Sequence, residues 1–206
     1  MGVCSNCDGA SKVHPSARYP NAEYPCQNCF GSGTDTLLIE YAGIGSRNTP
    51  NTVIAQMKLI GAVLAARGFV LRSGCAPRPA DPKKRRENCD SADLAFEDGA
   101  KSVNGRVYLR VSTLWQPAMT HASVFHPNWE ACKNGARGLH ARNSLIMLRD
   151  TLDRAVRFVV CYTDGGTVTG GTGQALRIAA AYAIPVFNFG NPTCGDFWSW
   201  LAELGL

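Results

Sequence analysis

The sequence predicts an α/β fold, a parallel sheet with helices on both faces, preceded by a small cysteine-rich knuckle. Three observations carry this. From Leu38 onward short aliphatic runs alternate with segments of helical period, glycine-rich turns follow several of those runs, and four of the nine cysteines form two C-x-x-C pairs within the first thirty residues.

The first strand is expected over Leu38–Ala42 and the first helix over Thr52–Arg67, where Val53, Ile54, Met57, Ile60 and Leu64 recur near helical spacing and Gly68 follows the end. Phe69–Leu71 reads as a second strand with Ser73-Gly74 as its turn. A polar insertion with Pro77, Pro79 and Pro82 precedes a helix over Ser91–Gly99, and Val107–Leu109 reads as a third strand. Ser112–Pro127 has no clear period and is expected to be a long loop. Trp129–Arg149 reads as a helix, Phe158–Tyr162 as a buried strand, Gln174–Tyr182 as a helix and Ile184–Phe189 as the last strand. Such alternation predicts a parallel sheet covered on both sides.

A chain of 206 residues, 45% hydrophobic and 18% charged, is long enough for one sizeable core and a small appendage. No apolar run approaches the roughly 20 residues of a membrane span, and the first residues lack the apolar stretch of a signal peptide, so a cytoplasmic protein with no membrane partner is expected. The net charge of +5 suits a polyanionic partner; the densest basic run, Lys83-Lys84-Arg85-Arg86, lies in the insertion and reads as a solvated loop.

Residues 1–33 are rich in Cys, Gly, Asn, Pro and Ser and nearly free of aliphatic side chains, which places a boundary near Thr34, between a knuckle at 1–33 and an α/β domain at 34–206. Cys4 and Cys7 are separated by eighteen residues from Cys26 and Cys29. In a reducing compartment two such pairs close a tetrahedral thiolate site, and four thiolates leave no position for a substrate, so the zinc expected here is structural. A segment so poor in apolar residues needs the ion to fold. His14 is a further candidate ligand, read as solvent-exposed. In CSNCDG and CQNCFGSG a glycine follows each pair. The pattern resembles half of the CxxCxGxG zinc region of DnaJ-type chaperones.

Three turns carry the candidate chemistry. YAGIGSRNTP puts Gly43, Gly45 and Ser46 between a strand and a helix, where free amides and the helix dipole favour a phosphate, and Arg47 adds a positive charge. The second turn is Arg72-Ser73-Gly74. The third, TDGGTVTGGTGQALRIA, offers Gly170, Gly171 and Gly173 with the Thr172 hydroxyl, a composition suited to phosphate oxygens. Turns at strand C-terminal ends converge on the usual ligand crevice of an open α/β sheet.

Together GIGSRNTP, RSG with the later ADLAFEDGA, LHARNSLIM and TDGGTVTGGTGQALRIAAAYAIPVFNF resemble the SLOG superfamily, and within it the DprA-like proteins often encoded by bacteriophages. The resemblance covers about residues 38 to 190. It implies a Rossmann-like fold with a nucleotide-derived ligand across the strand ends, and assembly as a homo-oligomer. By position, Gly43, Gly45, Ser46 and Arg47 would form the first phosphate turn and Ser73 and Gly74 close the second. Asp93 and Glu97 would face a ribose or cap the sheet edge. Arg142 and Asn143 would point into the pocket, with Asp164 and the Gly170, Gly171, Thr172, Gly173, Gln174 run as the opposite wall. The LOG-type hydrolases of this superfamily carry a glutamate after their glycine turn that assists N-glycosidic cleavage. Here Gln174-Ala175 stands in that place, and neither side chain can act as a general base.

The favoured function is therefore a protein that binds, sequesters or senses a nucleotide-derived small molecule of the ADP-ribose or cyclic nucleotide type. A phage protein acting against host signalling in the host cytoplasm would have such a use for it. The alternatives are a DprA-like single-stranded DNA binder, favoured by the charge and the knuckle, and a nucleotide glycosidic hydrolase using Glu97 or Asp93. Duller readings stand beside these. Arg142 could pair with Asp150 or Asp153, His121, His126 and Trp115 could simply pack a loop, and Cys75, Cys89, Cys132, Cys161 and Cys194 read as small buried side chains.

Overall fold

The computed structural model describes residues 12–13, 24–25, 38–74, 91–110 and 112–206. The chain divides into two units, Met1–Leu38 and Ile39–Leu206. In the first, β1 (Lys12–Val13) pairs antiparallel with β2 (Tyr24–Pro25). Cys4, Cys7, Cys26, Cys29 and His14 lie outside the described residues, as does the 75–90 insertion with its basic run.

In the second unit five strands form one parallel sheet: β3 (Glu40–Gly43), β4 (Val70–Ser73), β5 (Val107–Leu109), β6 (Phe158–Cys161) and β7 (Val186–Asn188). Their order is β5-β4-β3-β6-β7, with Tyr41 of β3 registered against Leu71 on one side and Phe158 on the other. The chain thus walks outward from β3 to β5, then returns to the opposite side of β3. That reversal, between β3 and β6, is where strand C-terminal ends open a ligand crevice in sheets of this kind. The architecture is Rossmann-like.

Because successive strand side chains point to opposite faces, the sheet feeds two cores. Tyr41, Leu71, Phe158, Val160 and Phe187 pack with α1 (Asn51–Ala66), α2 (Ala92–Ser102) and α6 (Phe197–Glu203). Ala42, Val159 and Cys161 pack on the other face with Ile146, Met147 and Leu148 of α4 (Asn134–Leu148) and with Leu176, Ile178 and Ala179 of α5 (Gly170–Ala181). Burial of each large side chain contributes about 1.5–3 kcal/mol, so both layers are needed to hold a unit this size. Burial also pushes the Cys161 thiol up to about 12.

Helix ends follow local chemistry. After α1, Gly68 adopts φ +86°, its amide bonding Ala65 O at 2.9 Å and that of Phe69 bonding Leu64 O at 3.0 Å, the paired bonds of a Schellman stop. The same pair closes α2 through Asn104 and α5 through Ala183, both at positive φ.

Beneath α4 the sheet carries buried charge. Arg72, 2% exposed, meets Glu40 at 3.1 Å and donates to Leu145 O at 2.8 Å. Arg149 also reaches Glu40, and Asp150 pairs with Arg72 and Arg110. Asp150 is thus held by these two arginines at the end of α4.

Several element boundaries differ from the sequence expectation. The stretch expected as a loop holds α3 (Gln116–Val124), a nine-residue helix with a proline in its first turn and only Ala118 and Ala122 buried, too few apolar positions to set a period. The helix expected from Trp129 begins at Asn134, because Trp129–Lys133 forms turns instead. α5 begins at Gly170, four residues before its expected start, and α6 was not anticipated at all. Among the described residues no helix is long and apolar enough to cross a membrane.

Candidate functional site

The turn after β3 continues the sheet. Ile44 and Ser46 amides donate to Val160 O and Tyr162 O at 3.1 and 3.0 Å, fixing this turn to the loop that follows β6. Within it, Ser46 O accepts from the Thr49 amide at 3.2 Å and the Thr49 hydroxyl at 2.6 Å, while Ser46 Oγ accepts from the Asn48 amide at 3.2 Å. The glycines admit close neighbours. A Cβ on Gly43 would lie 2.7 Å from the Phe96 ring, and one on Gly45 would overlap Ala92. Both serve the close approach of α2. Arg47, at the tip, is exposed.

At the end of β4, Ser73 is fully buried and donates its hydroxyl to Gly43 O at 2.8 Å. Gly74 O accepts from Arg142 Nη1 at 2.9 Å, and a Cβ on Gly74 would lie 2.5 Å from the guanidinium carbon. Arg142 thus reaches from α4 to the end of β4. On α2, Ser91 caps the helix by accepting from the Leu94 amide at 3.2 Å. Asp93 is buried in its first turn, and Glu97, also buried, pairs with Lys101 one turn on.

The region after β6 is built differently. Asn188 of β7 pins its start, accepting from the Thr163 amide at 3.0 Å and donating to the Thr163 hydroxyl at 2.7 Å. A single 3-10 turn, Asp164–Gly166, follows, with Gly165 and Gly166 at positive φ and Asp164 exposed. Thr169 then stands at the N-cap of α5 without a side-chain cap, and the first helical bond is Gly173 N to Thr169 O at 2.9 Å. The first-turn amides of Gly170, Gly171 and Thr172 precede that bond, so they point out of the helix end with its positive dipole. A Cβ on Gly170 or Gly171 would meet nothing within 4 Å. Gly173 differs, since its Cβ would strike the Val168 backbone where the loop folds back.

Asn143 ties the two sides together. Its Nδ2 donates to Gly171 O and to Gln174 Oε1, both at 3.0 Å. Arg142 and Asn143 therefore form a bridge from the end of β4 to the first turn of α5. Gln174 is 0% exposed, a buried brace with its amide turned to Asn143. No acidic residue occupies the first turn of α5. The arrangement can hold an anion at open amides; it does not present a carboxylate there.

The structure brings Gly74, Arg142, Asn143, Gly171 and Gln174 into one connected network, and Gly45 and Ser46 against Tyr162. Glu97 engages Lys101 instead. Sequence reasoning passed over Thr169, Asn188 and His140. His140 lies in the LHARN string two residues before Arg142, and that adjacency was the available signal. Its imidazole is pushed down to about 4 by burial and by the neighbouring His126.

The sequence matches no family model, and no curated protein matches it. Among solved structures, the chain is similar to DNA processing protein A from Helicobacter pylori, a structure described for that protein's single-stranded DNA binding mode. The two share 21% identity with a TM-score of 0.48, over 83% of this chain and 74% of the other.

Proposed function

We propose that the Ile39–Leu206 unit binds a phosphate-bearing, nucleotide-derived small molecule at the C-terminal ends of its sheet and holds it without turning it over. The observation that carries this reading is the uncapped start of α5. Gly170 and Gly171 face open space there, next to the point where strand order reverses. The absence of a carboxylate from the first turn of α5, with Gln174 buried against Asn143, favours retention over cleavage. Sequestering or sensing a signal nucleotide, as a phage protein countering host signalling would, is the use we assign to such a pocket, within a cytoplasmic homo-oligomer. Incubation with a panel of nucleotides and ADP-ribose derivatives, followed by denaturation and chromatography, tests it. Intact ligand recovered in stoichiometric amount is expected, whereas repeated turnover to free base and ribose phosphate would overturn it.

A second reading, single-stranded DNA binding, is favoured by the net charge of +5. It requires retardation of oligonucleotides that weakens steeply with salt, together with no retained nucleotide. For the first unit we propose one structural zinc on Cys4, Cys7, Cys26 and Cys29, whose loss after Cys26→Ser with Cys29→Ser would be read by metal analysis.

A further inference from the structure

The loop between α3 and α4 brings together three side chains that no part of the anion site uses. One ligand atom each from His126, Cys132 and His140 lie within 4.8 Å of one another. Cys132 Sγ stands 3.6 Å from His126 Nε2 and 3.7 Å from Nδ1, and the His126 and His140 ring centroids are 4.4 Å apart. In a tetrahedral zinc site with ordinary bond lengths, sulfur and nitrogen ligands are separated by about 3.5 Å. The observed separation has that length, but Sγ is almost as near Nδ1, so the His126 ring must turn to aim a nitrogen lone pair at a shared ion.

The loop is held in place before any ion arrives. Arg177 of α5 donates to Phe125 O at 2.7 Å at one end, and Arg137 of α4 donates to Trp129 O at 3.3 Å in the middle. The Cys132 amide closes onto Trp129 O at 3.0 Å. His140 is fixed by α4 and is 9% exposed, yet its Nδ1 is buried without a hydrogen bond among the described residues. Gln174 is the polar side chain beside this ring, and its Nε2 is unbonded too, so Nδ1 is open to a further partner. His126 Nδ1 accepts from the Asn128 amide at 3.2 Å, and an ion would replace that bond by either route, since ligation at Nε2 puts the ring proton on Nδ1 and ligation at Nδ1 takes its lone pair.

We propose that His126, Cys132 and His140 form a binding site for one divalent transition-metal ion of the zinc class. The donor set is one soft thiolate with two imidazoles, which suits zinc and disfavours magnesium or calcium. Three protein ligands leave the fourth tetrahedral position open, as in zinc sites that hold water or a substrate atom. One thiolate and two neutral imidazoles leave a divalent ion with net positive charge, so that position takes water, hydroxide or an anion. Trp129 packs edge-on to His126, and His126 and Cys132 are only half-buried, so solvent reaches this side of the cluster. His140 stands beside Gln174, so the ion would also stiffen the Asn143–Gln174 brace from behind.

Cobalt(II) is the probe. In the full chain with Cys4, Cys7, Cys26 and Cys29 all changed to serine, chelator-treated protein should take up about one cobalt per chain. A thiolate-to-cobalt charge-transfer band of single-sulfur intensity should appear and be displaced by zinc. Adding Cys132→Ser should abolish the band. The same loss is to be read in the chain with its four N-terminal cysteines intact, where Cys132→Ser should lower bound metal by one per chain. Its melting temperature in excess chelator should equal that of the parent, while the rise produced by zinc shrinks. Absence of a band from a cooperatively melting quadruple variant, or metal content unchanged by Cys132→Ser in the otherwise intact chain, would overturn the proposal.

Discussion

The turn after β3 and the region after β6 are both glycine-rich and both lie at the strand-order reversal, yet their glycines do opposite work. After β3, the space left by absent side chains is filled: Phe96 lies against Gly43 and Ala92 against Gly45, and the Ser46 hydroxyl and carbonyl are consumed within the turn. After β6, the space at Gly170 and Gly171 is open, and the helix behind it has no side-chain cap. A glycine-rich turn is thus two different objects. One lets backbone and helix pack, the other leaves open space at a helix end, and only the surroundings tell them apart.

The comparison breaks most sharply under alanine. Gly43→Ala should lower stability by about 1–3 kcal/mol, since the added carbon forces the Phe96 ring and Leu71 out of their packed positions. Gly171→Ala should stay within about 1 kcal/mol of the parent, because its site is open and alanine is the better helix former. Urea unfolding of both variants measures the contrast. Equal losses would mean that the two turns are not built differently.

The next effect comes from the bridge that links the two sides. Asn143→Ala removes the donor that Gly171 O and Gln174 Oε1 share, leaving the buried Gln174 oxygen unpaired, and should lower stability by about 1–3 kcal/mol. If the first turn of α5 holds phosphate, the same change should weaken a bound nucleotide as well, read by calorimetry. Arg47→Ala should do the reverse, leaving the melt unchanged because the side chain is exposed, while weakening a phosphate-bearing ligand about ten-fold. Unchanged affinity for that variant would place the anion away from the β3 turn.

How much of this was legible in the sequence follows from the same contrast. The strands were readable because their side chains alternate between two apolar cores, and α1 because its apolar residues recur with helical period and Gly68 stops it. The start of α5 was not, since Gly-Gly-Thr-Gly is a poor helix former and its first turn is held by a hydrogen bond from Asn143, 28 residues away in the chain. α3 was hidden because alanines at 118 and 122 suffice to bury it. For the site, the Arg142-Asn143 step and the glycine runs were visible as residues. That Gly43, Gly45 and Ser73 face protein, and that Gln174 is a brace, depended on which helix each one meets. The grouping of His126, Cys132 and His140 joins a loop to a helix, a proximity that no spacing rule reports.

The smallest effect concerns the α3 edge of the same layer. His121 joins three helices, its Nδ1 lying 2.9 Å from Ser144 Oγ on α4 and its Nε2 3.0 Å from the Tyr182 hydroxyl at the end of α5, with Phe125 packed on the ring. Burial lowers its pKa below the ordinary value near 6.5, so the folded state prefers the neutral imidazole. Above about pH 6.5 both folded and unfolded chains carry it neutral, and its contribution is complete. As the pH falls below that, the unfolded chain takes up a proton that the folded chain still refuses, and stability declines until the folded value is passed. His121→Gln keeps a donor and an acceptor but cannot titrate. The ring is partly solvated and the effect correspondingly screened, so the variant's melting temperature between pH 7.5 and 5 should fall only about a degree less than the parent's. A parallel pair of curves would show that solvent already reaches this imidazole in the folded state, and that the α3 edge is looser than its hydrogen bonds suggest.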